Sequence, residues 1–386
     1  MSVYLDHAAS SPPRPEAAEA LAAYTRASYA GANPNSLHTP GREAARALEG
    51  ARKELSKLLG GDARPSELIF TSGGTEADNL AVIGLSEALR MQRGIRDVVV
   101  ISAIEHEAVL KCIPELRRRG FETRIVPPTD RGVIECASLA AALDERCALV
   151  SIMYANNETG MVQPIADLAA AAHAVGALFH TDAVQAFTRM PFSADCVDAM
   201  SISAHKVGGP VGIGALYLKT GIRLQPLLQG GGQERGLRPG TQNVSGALAF
   251  AAAAQASAHA HRVYADALRA RSSALVEKLV SADVGIHPTV DAAYDEGRLP
   301  GTVHVYVRGI EAGSVLLRLD AAGFAISSGS ACSASSRDSS HVLSAMGFPR
   351  ERSLGALRIS FDERVSDGEL SAFADALIGC VDSLRR

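Results

Sequence analysis

Short apolar runs alternate with stretches of helical periodicity through the first two thirds of the chain. Runs at residues 68–70, 98–101, 123–126, 149–153, 178–180, 199–201 and 215–218 predict strands. Stretches at 76–89, 108–119, 139–143 and 165–175 predict helices between most of them. This β-α-β-α order predicts a mostly parallel sheet covered by helices on both faces. Ligands of such sheets bind beyond the carboxyl ends of the strands, so chemistry is sought just after each run.

Residues 244–279 are rich in Ala, Leu and Arg and hold no Gly or Pro after Gly246, which predicts one long helix. Beyond it the pattern changes. A strand at 302–307, a helix at 312–321, a Ser-rich loop, a strand at 357–361 and a helix at 367–384 predict a smaller α+β unit. Residues 291–301, polar and holding Gly297 and Pro300, read as a loop inside it. The expected division is a large domain over 15–260 and a small one made of 1–14 and 261–386.

The chain of 386 residues is 47% apolar and 21% charged, an ordinary globular balance that excludes a disordered or collagen-like protein. A formal net charge of −4 and an isoelectric point near 6.3 argue against a nucleic-acid or membrane-surface protein. Trp is absent and aromatic residues make up 5%, so a stacking platform for single strands is not expected. The N-terminus lacks basic and apolar signal regions, and the Ala-rich stretch 247–260 is broken by Gln255, Ser257 and His259; neither a secretory signal nor a membrane span is expected. Six cysteines (Cys112, Cys136, Cys147, Cys196, Cys332 and Cys380) form no C-x-x-C pair, which excludes a zinc ribbon and a thioredoxin motif and predicts reduced thiols in the cytoplasm.

Five segments carry candidate chemistry. Phe70-Thr71-Ser72-Gly73-Gly74-Thr75-Glu76 follows a strand and opens a helix. Two glycines and a Thr there make an anion cradle, where unpaired backbone N–H groups and the helix dipole face a phosphate. An ordinary N-cap at Thr75 is the plainer alternative. Asp182 and Lys206, 24 residues apart, each follow a strand. Either alone is most often a solvated charge. Together, beside a phosphate cradle, they are the pair that pyridoxal phosphate needs: a Lys for the Schiff base and an acid to keep the pyridine nitrogen protonated.

Ile104-Glu105-His106-Glu107 offers a histidine at a strand end, either an ordinary loop residue or a group that faces a cofactor ring and shuttles protons. Leu110, where a second His would stand, excludes a zincin. Asn156-Asn157-Glu158-Thr159-Gly160 makes a turn in any protein, or else lets Asn156 hydrogen-bond the ring oxygen or a substrate carboxylate. Eleven of the fourteen residues 327–340 are Ser, Gly or Ala, so that segment gains little from burial and is expected to be mobile. Cys332 within it has hydroxyl neighbours rather than apolar ones, which suits a reacting thiolate, although a chance surface Cys would look the same. The stretch from Cys332 to Ser340 gives it roughly 20 Å of reach at most.

Ten motifs in order carry a resemblance over nearly the whole chain: Tyr4-Leu5-Asp6-His7-Ala8-Ala9, Asn33-Pro34-Asn35-Ser36-Leu37-His38, Gly73-Gly74-Thr75-Glu76, Glu105-His106, Asn156-Asn157-Glu158, Asp182-Ala183-Val184-Gln185, Ser203-Ala204-His205-Lys206, Gly230-Gly231-Gly232-Gln233-Glu234-Arg235, Arg238-Pro239-Gly240-Thr241 and Ser328-Gly329-Ser330-Ala331-Cys332. Together they resemble the cysteine desulfurases that serve iron–sulfur cluster assembly and related sulfur transfer, in the form with a mobile Ser-Gly-Ser-Ala-Cys loop. The resemblance implies the aspartate-aminotransferase-like fold (fold type I) and pyridoxal 5'-phosphate as cofactor.

It also implies roles. Lys206 would hold the cofactor and move the α-proton, Asp182 would pair with the pyridine nitrogen, and Gln185 would touch the ring oxygen. His106 would stack over the ring as an acid–base group. Gly74, Thr75, Ser203 and His205 would bind the phosphate, joined by Thr241 from the partner in a homodimer. Arg358, with Asn156 beside it, would bind the carboxylate of L-cysteine, a task that suits the bidentate guanidinium. Cys332 would take the sulfur as a persulfide, release L-alanine and pass the sulfur to an acceptor protein. The chain stops soon after a helix, without the longer tail expected for docking an iron–sulfur scaffold, so tRNA thiolation and DNA sulfur modification stay open as destinations. A lyase of the same fold, acting on selenocysteine or cysteine sulfinate, would need the cofactor site but not Cys332. A non-catalytic sulfur-carrying or scaffold protein that kept the fold would be colourless, without the cofactor bound to Lys206.

Overall fold

The computed structural model describes residues 2–290, 297–328 and 339–386. Cys332 and its neighbours in the Ser-rich loop, and residues 291–296 of the other expected loop, lie outside the described residues. Seven strands form the central sheet in the order Leu68–Thr71, Gly214–Leu218, Ala199–Ser203, Leu178–Asp182, Cys147–Ser151, Val98–Ser102, Glu122–Val126. All run parallel except Gly214–Leu218, which opposes both of its neighbours. The expected mostly parallel sheet is therefore present. Its central strands are buried along their whole length, as continuous apolar runs should be when helices cover both faces.

Several elements differ from the sequence expectation. The strand expected at 149–153 is Cys147–Ser151. Ile152 and Met153 leave the ladder because the Met153 N–H donates to Glu105 Oε1 at 2.8 Å instead. The single helix expected at 108–119 is split into Glu107–Leu110 and Ile113–Arg118. Pro114 sits in the first turn of the second piece, where its missing N–H costs nothing, whereas it would break a continuous helix. The N-terminal helices Pro15–Arg26 and Thr39–Lys57, for which no element was expected, pack on the long helix Val244–Ser281.

That long helix serves two apolar cores. Ala247, Phe250 and Ala254 join the core under the large sheet, while Leu268, Leu275 and Leu279 join a separate one. The second core lies against the four-stranded sheet of Ser327–Ser328, Ala356–Ser360, Thr302–Val307 and Ile286–Pro288, with helices Ala312–Ala321 and Asp367–Arg385. Leu5 is part of it, although it comes from the other end of the chain. Leu5 accepts from Ser360 N at 2.8 Å, and Ala8 N donates to Ser360 Oγ at 2.8 Å. The N-terminal segment is thereby stapled to the strand that carries Arg358 and runs on toward the carboxyl ends of the large sheet. Among the described residues no helix is long and apolar enough to cross a membrane.

Candidate active site

A cavity of about 580 Å³ opens at those strand ends. One side is made by helix Gly74–Arg93 and the turn after Ala199–Ser203. The first N–H groups of a helix have no partner within it and carry partial positive charge. Gly74 and Thr75 supply two of them to the cavity wall. A Cβ on Gly74 would stand 2.7 Å from Val184 Cγ2, so only glycine lets the backbone come this close. Ser203 Oγ is buried with no hydrogen-bond partner among the described residues. His205 also lines the wall, and burial, with Lys206 and His106 nearby, pulls its imidazole down to about 4, so it is neutral at pH 7.

The floor holds Asp182, Gln185 and Lys206. Asp182 ends strand Leu178–Asp182, and its Oδ1 accepts from Val184 N at 2.8 Å. Burial raises its pKa, while the charges of His106 and Lys206 favour the carboxylate. Lys206 closes a single turn of 3₁₀ helix, Ala204–Lys206, after the next strand, and its Nζ donates to the carbonyls of Ala8 and Ala9, 2.7 Å each. Gln185 Nε2 donates to the same Ala8 carbonyl at 2.9 Å. The stapled N-terminal segment thus aims two side chains of the large sheet.

His106 lines the cavity as the N-cap of Glu107–Leu110; its Nδ1 accepts from Ala108 N at 3.1 Å. Burial lowers its pKa; Asp182 opposes that, and Lys206 and His341 add to it. Beneath it lies Glu105, whose Oε1 accepts from Ser102 Oγ and Met153 N, while Oε2 has no partner. Burial pushes the Glu105 carboxyl up to about 8.

Arg358 closes the opposite side. It is 2% exposed, donates to Asn157 O and to Asp6 Oδ1 at 2.8 Å each, and keeps a buried Nε without a hydrogen-bond partner. Near it are Asn157, Glu158, Ser339 and His341. Glu158 Oε2 accepts from Ser340 Oγ at 2.5 Å, and burial raises its pKa.

The cavity brings together Gly74, Thr75, His106, Asp182, Gln185, Ser203, His205, Lys206 and Arg358. Two expected residues lie elsewhere. Asn156 is fully buried behind the wall: its amide donates to Ile104 O and Met153 Sδ, and its oxygen accepts from Glu158 N and Thr159 N. These bonds tie the turn to Ile104 and Met153, and it is Asn157 that lines the cavity. Thr241 is exposed and outside the lining.

Among the lining residues given no role from the sequence are Asp78 and His341. Asp78 stands one turn along the helix from Gly74, a spacing that brings it to the same face, and burial together with Asp182 raises its pKa. His341 directly follows the N-cap Ser340. A His opening the apolar run Val342-Leu343 was the only trace it left in the sequence.

The donor set fits a phosphorylated pyridine aldehyde: an orphaned hydroxyl, helix N–H groups and a neutral imidazole for the phosphate, and an amine and a carboxylate for the ring. Comparison with known proteins agrees. The chain belongs to the class-V aminotransferase family, whose profile matches residues 3–373, and is a pyridoxal-phosphate enzyme of that kind. Within the family its relatives are cysteine desulfurases. It is 40% identical to a cysteine desulfurase of Gluconacetobacter diazotrophicus over 100% of this chain and 94% of that one. It is also 40% identical to an IscS-like cysteine desulfurase of Mycobacterium tuberculosis, over 99% of this chain and 97% of the other. A solved NifS-like protein superposes with a TM-score of 0.90 at 34% identity, covering 99% of this chain and 100% of the other.

Proposed function

We propose that the protein is a cysteine desulfurase that removes sulfur from L-cysteine, releases L-alanine and holds the sulfur as a persulfide on Cys332. The observation that carries this reading is the meeting of Lys206 and Asp182 with an anion cradle and a buried arginine in one cavity. When bound, pyridoxal 5'-phosphate supplies an electron-accepting ring for the charge left at the substrate α-carbon. Gly74, Thr75, Ser203 and His205 hold its phosphate, Gln185 touches its ring oxygen, and Lys206 Nζ is the point of attachment.

Asp182 presents its carboxylate to the ring nitrogen and keeps the proton there. Arg358 binds the substrate carboxylate through Nε and its neighbours, which fixes the α-carbon over the floor. With cofactor and substrate in place, Lys206 Nζ would take the α-proton, and His106 would move protons on the other side. The Cys332 thiolate attacks the substrate sulfur: the Cβ–S bond breaks, an S–S bond forms, and the thiol's proton leaves with alanine. Cys112 supports this choice of thiol by contrast, since burial pushes it up to about 12.

Sulfur then passes to an acceptor protein, for iron–sulfur assembly, tRNA thiolation or DNA sulfur modification, and the chain works in the cytoplasm as a homodimer. Arg238, three residues before Thr241, donates to Glu76 Oε1 at 2.8 Å, so the loop leading to Thr241 is tied to the cradle helix. Thr241 itself is exposed near that helix, which supports a role at a phosphate across the subunit contact of a homodimer. The deciding experiment is Cys332→Ser: alanine release from L-cysteine is expected to collapse while the yellow cofactor stays bound. Unchanged turnover would make the protein a lyase of the same fold, acting on selenocysteine or cysteine sulfinate.

A further inference from the structure

Of the three histidines that line the cavity, His205 stands at the cradle, and the backbone partners of the other two, His106 and His341, give them opposite tautomers. His106 Nδ1 accepts from an N–H, so its proton is on Nε2 when the ring is neutral. His341 Nε2 lies 2.9 Å from the Glu105 carbonyl, which can only accept, so His341 carries its proton on Nε2 and leaves Nδ1 as a lone-pair nitrogen. Neutral His106 is therefore set to donate through the nitrogen that Ala108 does not engage, and neutral His341 is set to accept. The cavity thus holds a further imidazole, poised as a base, that the reaction described above does not use.

That reaction has an unassigned proton. A thiol must lose one before its sulfur attacks, and the residues given roles so far are committed to the α-carbon, the ring and the substrate carboxylate. We propose that His341 is a further catalytic residue that accepts, on Nδ1, the proton of the attacking thiol as it enters the cavity. The S–H bond breaks, its electron pair stays on sulfur, an N–H bond forms on His341, and the imidazolium later returns the proton to the alanine side of the reaction. This inference rests on the desulfurase reading.

The placement favours a base that stays on station. Ser340, the N-cap of helix His341–Ala345, is held by Glu158, and Val342 and Leu343 are buried in the large core. The ionisable groups near the ring are His106 across the cavity and, on its own wall, Glu158, with Arg358 beyond Glu158 and Glu105 beneath. Of the charged side chains on the adjoining helix Arg350–Leu354, Arg352 is turned onto the Tyr306 ring. Glu158 is the group whose charge would stabilise the imidazolium.

The test is the pH profile of the first turnover, read as alanine released from L-cysteine by the holoenzyme, for the unaltered chain and for His341→Gln and His341→Ala. A free thiol ionising near pH ~8.5 is about 3% thiolate at pH 7, which bounds the gain from a local base at roughly 30-fold there. His341→Gln, which keeps a donor for the Glu105 carbonyl, is expected to lose about 10- to 30-fold at pH 7. It should converge with the unaltered chain above about pH 9, because the thiol then ionises unaided. Cofactor absorbance and exchange of the α-proton of L-alanine in heavy water should match the unaltered chain.

Parallel profiles, or a loss in His341→Ala that His341→Gln restores at every pH, would overturn the proposal and leave His341 a structural pin. An acid limb that persists in His341→Gln and vanishes in His106→Gln would overturn it in favour of His106. Failure of the unaltered holoenzyme to form alanine at any pH would be a failure of the desulfurase reading, recorded before any variant is made.

Discussion

The two walls of the cavity are built in different ways. The cradle and floor come from consecutive strand ends of one buried sheet: Thr71 leads to Gly74, Asp182 ends its strand, and Lys206 follows Ser203 within a single turn. The opposite wall is assembled from distant parts of the chain. Arg358 comes from the second core's sheet, Asn157 from a turn after Cys147–Ser151, and His341 from a five-residue helix. The cradle and floor share the hydrogen-bond ladders of one sheet, whereas in the far wall Arg358 belongs to the ladder of the second sheet, Asn157 and His341 lie outside any strand, and side-chain contacts such as Arg358 to Asp6 and Ser340 to Glu158 join the pieces. The rigid wall suits a resident cofactor. The assembled one suits a substrate that comes and goes.

Breaking the rigid wall should have the larger effect. Lys206→Ala is expected to reduce alanine formation by several orders of magnitude, because the anchor and the α-proton carrier are one amine. Borohydride treatment followed by peptide mapping checks it: the unaltered chain should carry the cofactor on the peptide containing Lys206, and the variant should carry none.

Arg358→Ala breaks the far wall. Removing one partner of a buried, hydrogen-bonded charge pair costs about 2–5 kcal/mol, so kcat/KM for L-cysteine should fall by roughly 30- to 5000-fold while cofactor absorbance is retained. Steady-state kinetics on the variant check this, and loss of cofactor instead would mean that the two walls are not independent.

A smaller effect sharpens the comparison from below the floor. The folded chain keeps the Glu105 carboxyl protonated up to about pH 8, whereas an unfolded chain releases that proton near pH ~4.3. Between those values the folded state binds more protons, so this group's contribution to stability falls as pH rises and is level above them. Glu105→Gln removes that slope. Its urea midpoint is expected to gain on that of the unaltered chain between about pH 5 and about pH 8. A constant difference across that range would refute the assignment. The smallest expected effect is Thr241→Ala, with a few-fold weaker cofactor binding in titration and no change in kcat at saturating cofactor.

What the sequence revealed follows the same division. Strand-end chemistry was legible because an apolar run, a turn and a polar residue lie side by side: Gly74, Asp182 and Lys206 were each found this way. The long helix Val244–Ser281 was read almost to the residue, since nothing interrupts its composition. Asn156 shows where local sequence stops: a turn-forming side chain and a ligand-binding one have the same local sequence, and only the structure shows its amide engaged with Ile104 and its oxygen with Glu158 N. Asp78 left only a helical spacing and His341 only its place before an apolar run, and what brings His341 to the cavity is the packing of a short helix on the large core, for which the chain carries no local signal. Pro114 was in view, yet its effect on the helix at 108–119 was missed.

The most direct test of the account is mass spectrometry of the holoenzyme after one turnover with L-cysteine, paired with measurement of the alanine released. The expected result is one added sulfur on the peptide that carries Cys332, matched by an equal amount of alanine. Alanine formed with that peptide unchanged, or the sulfur found on another cysteine, would contradict it.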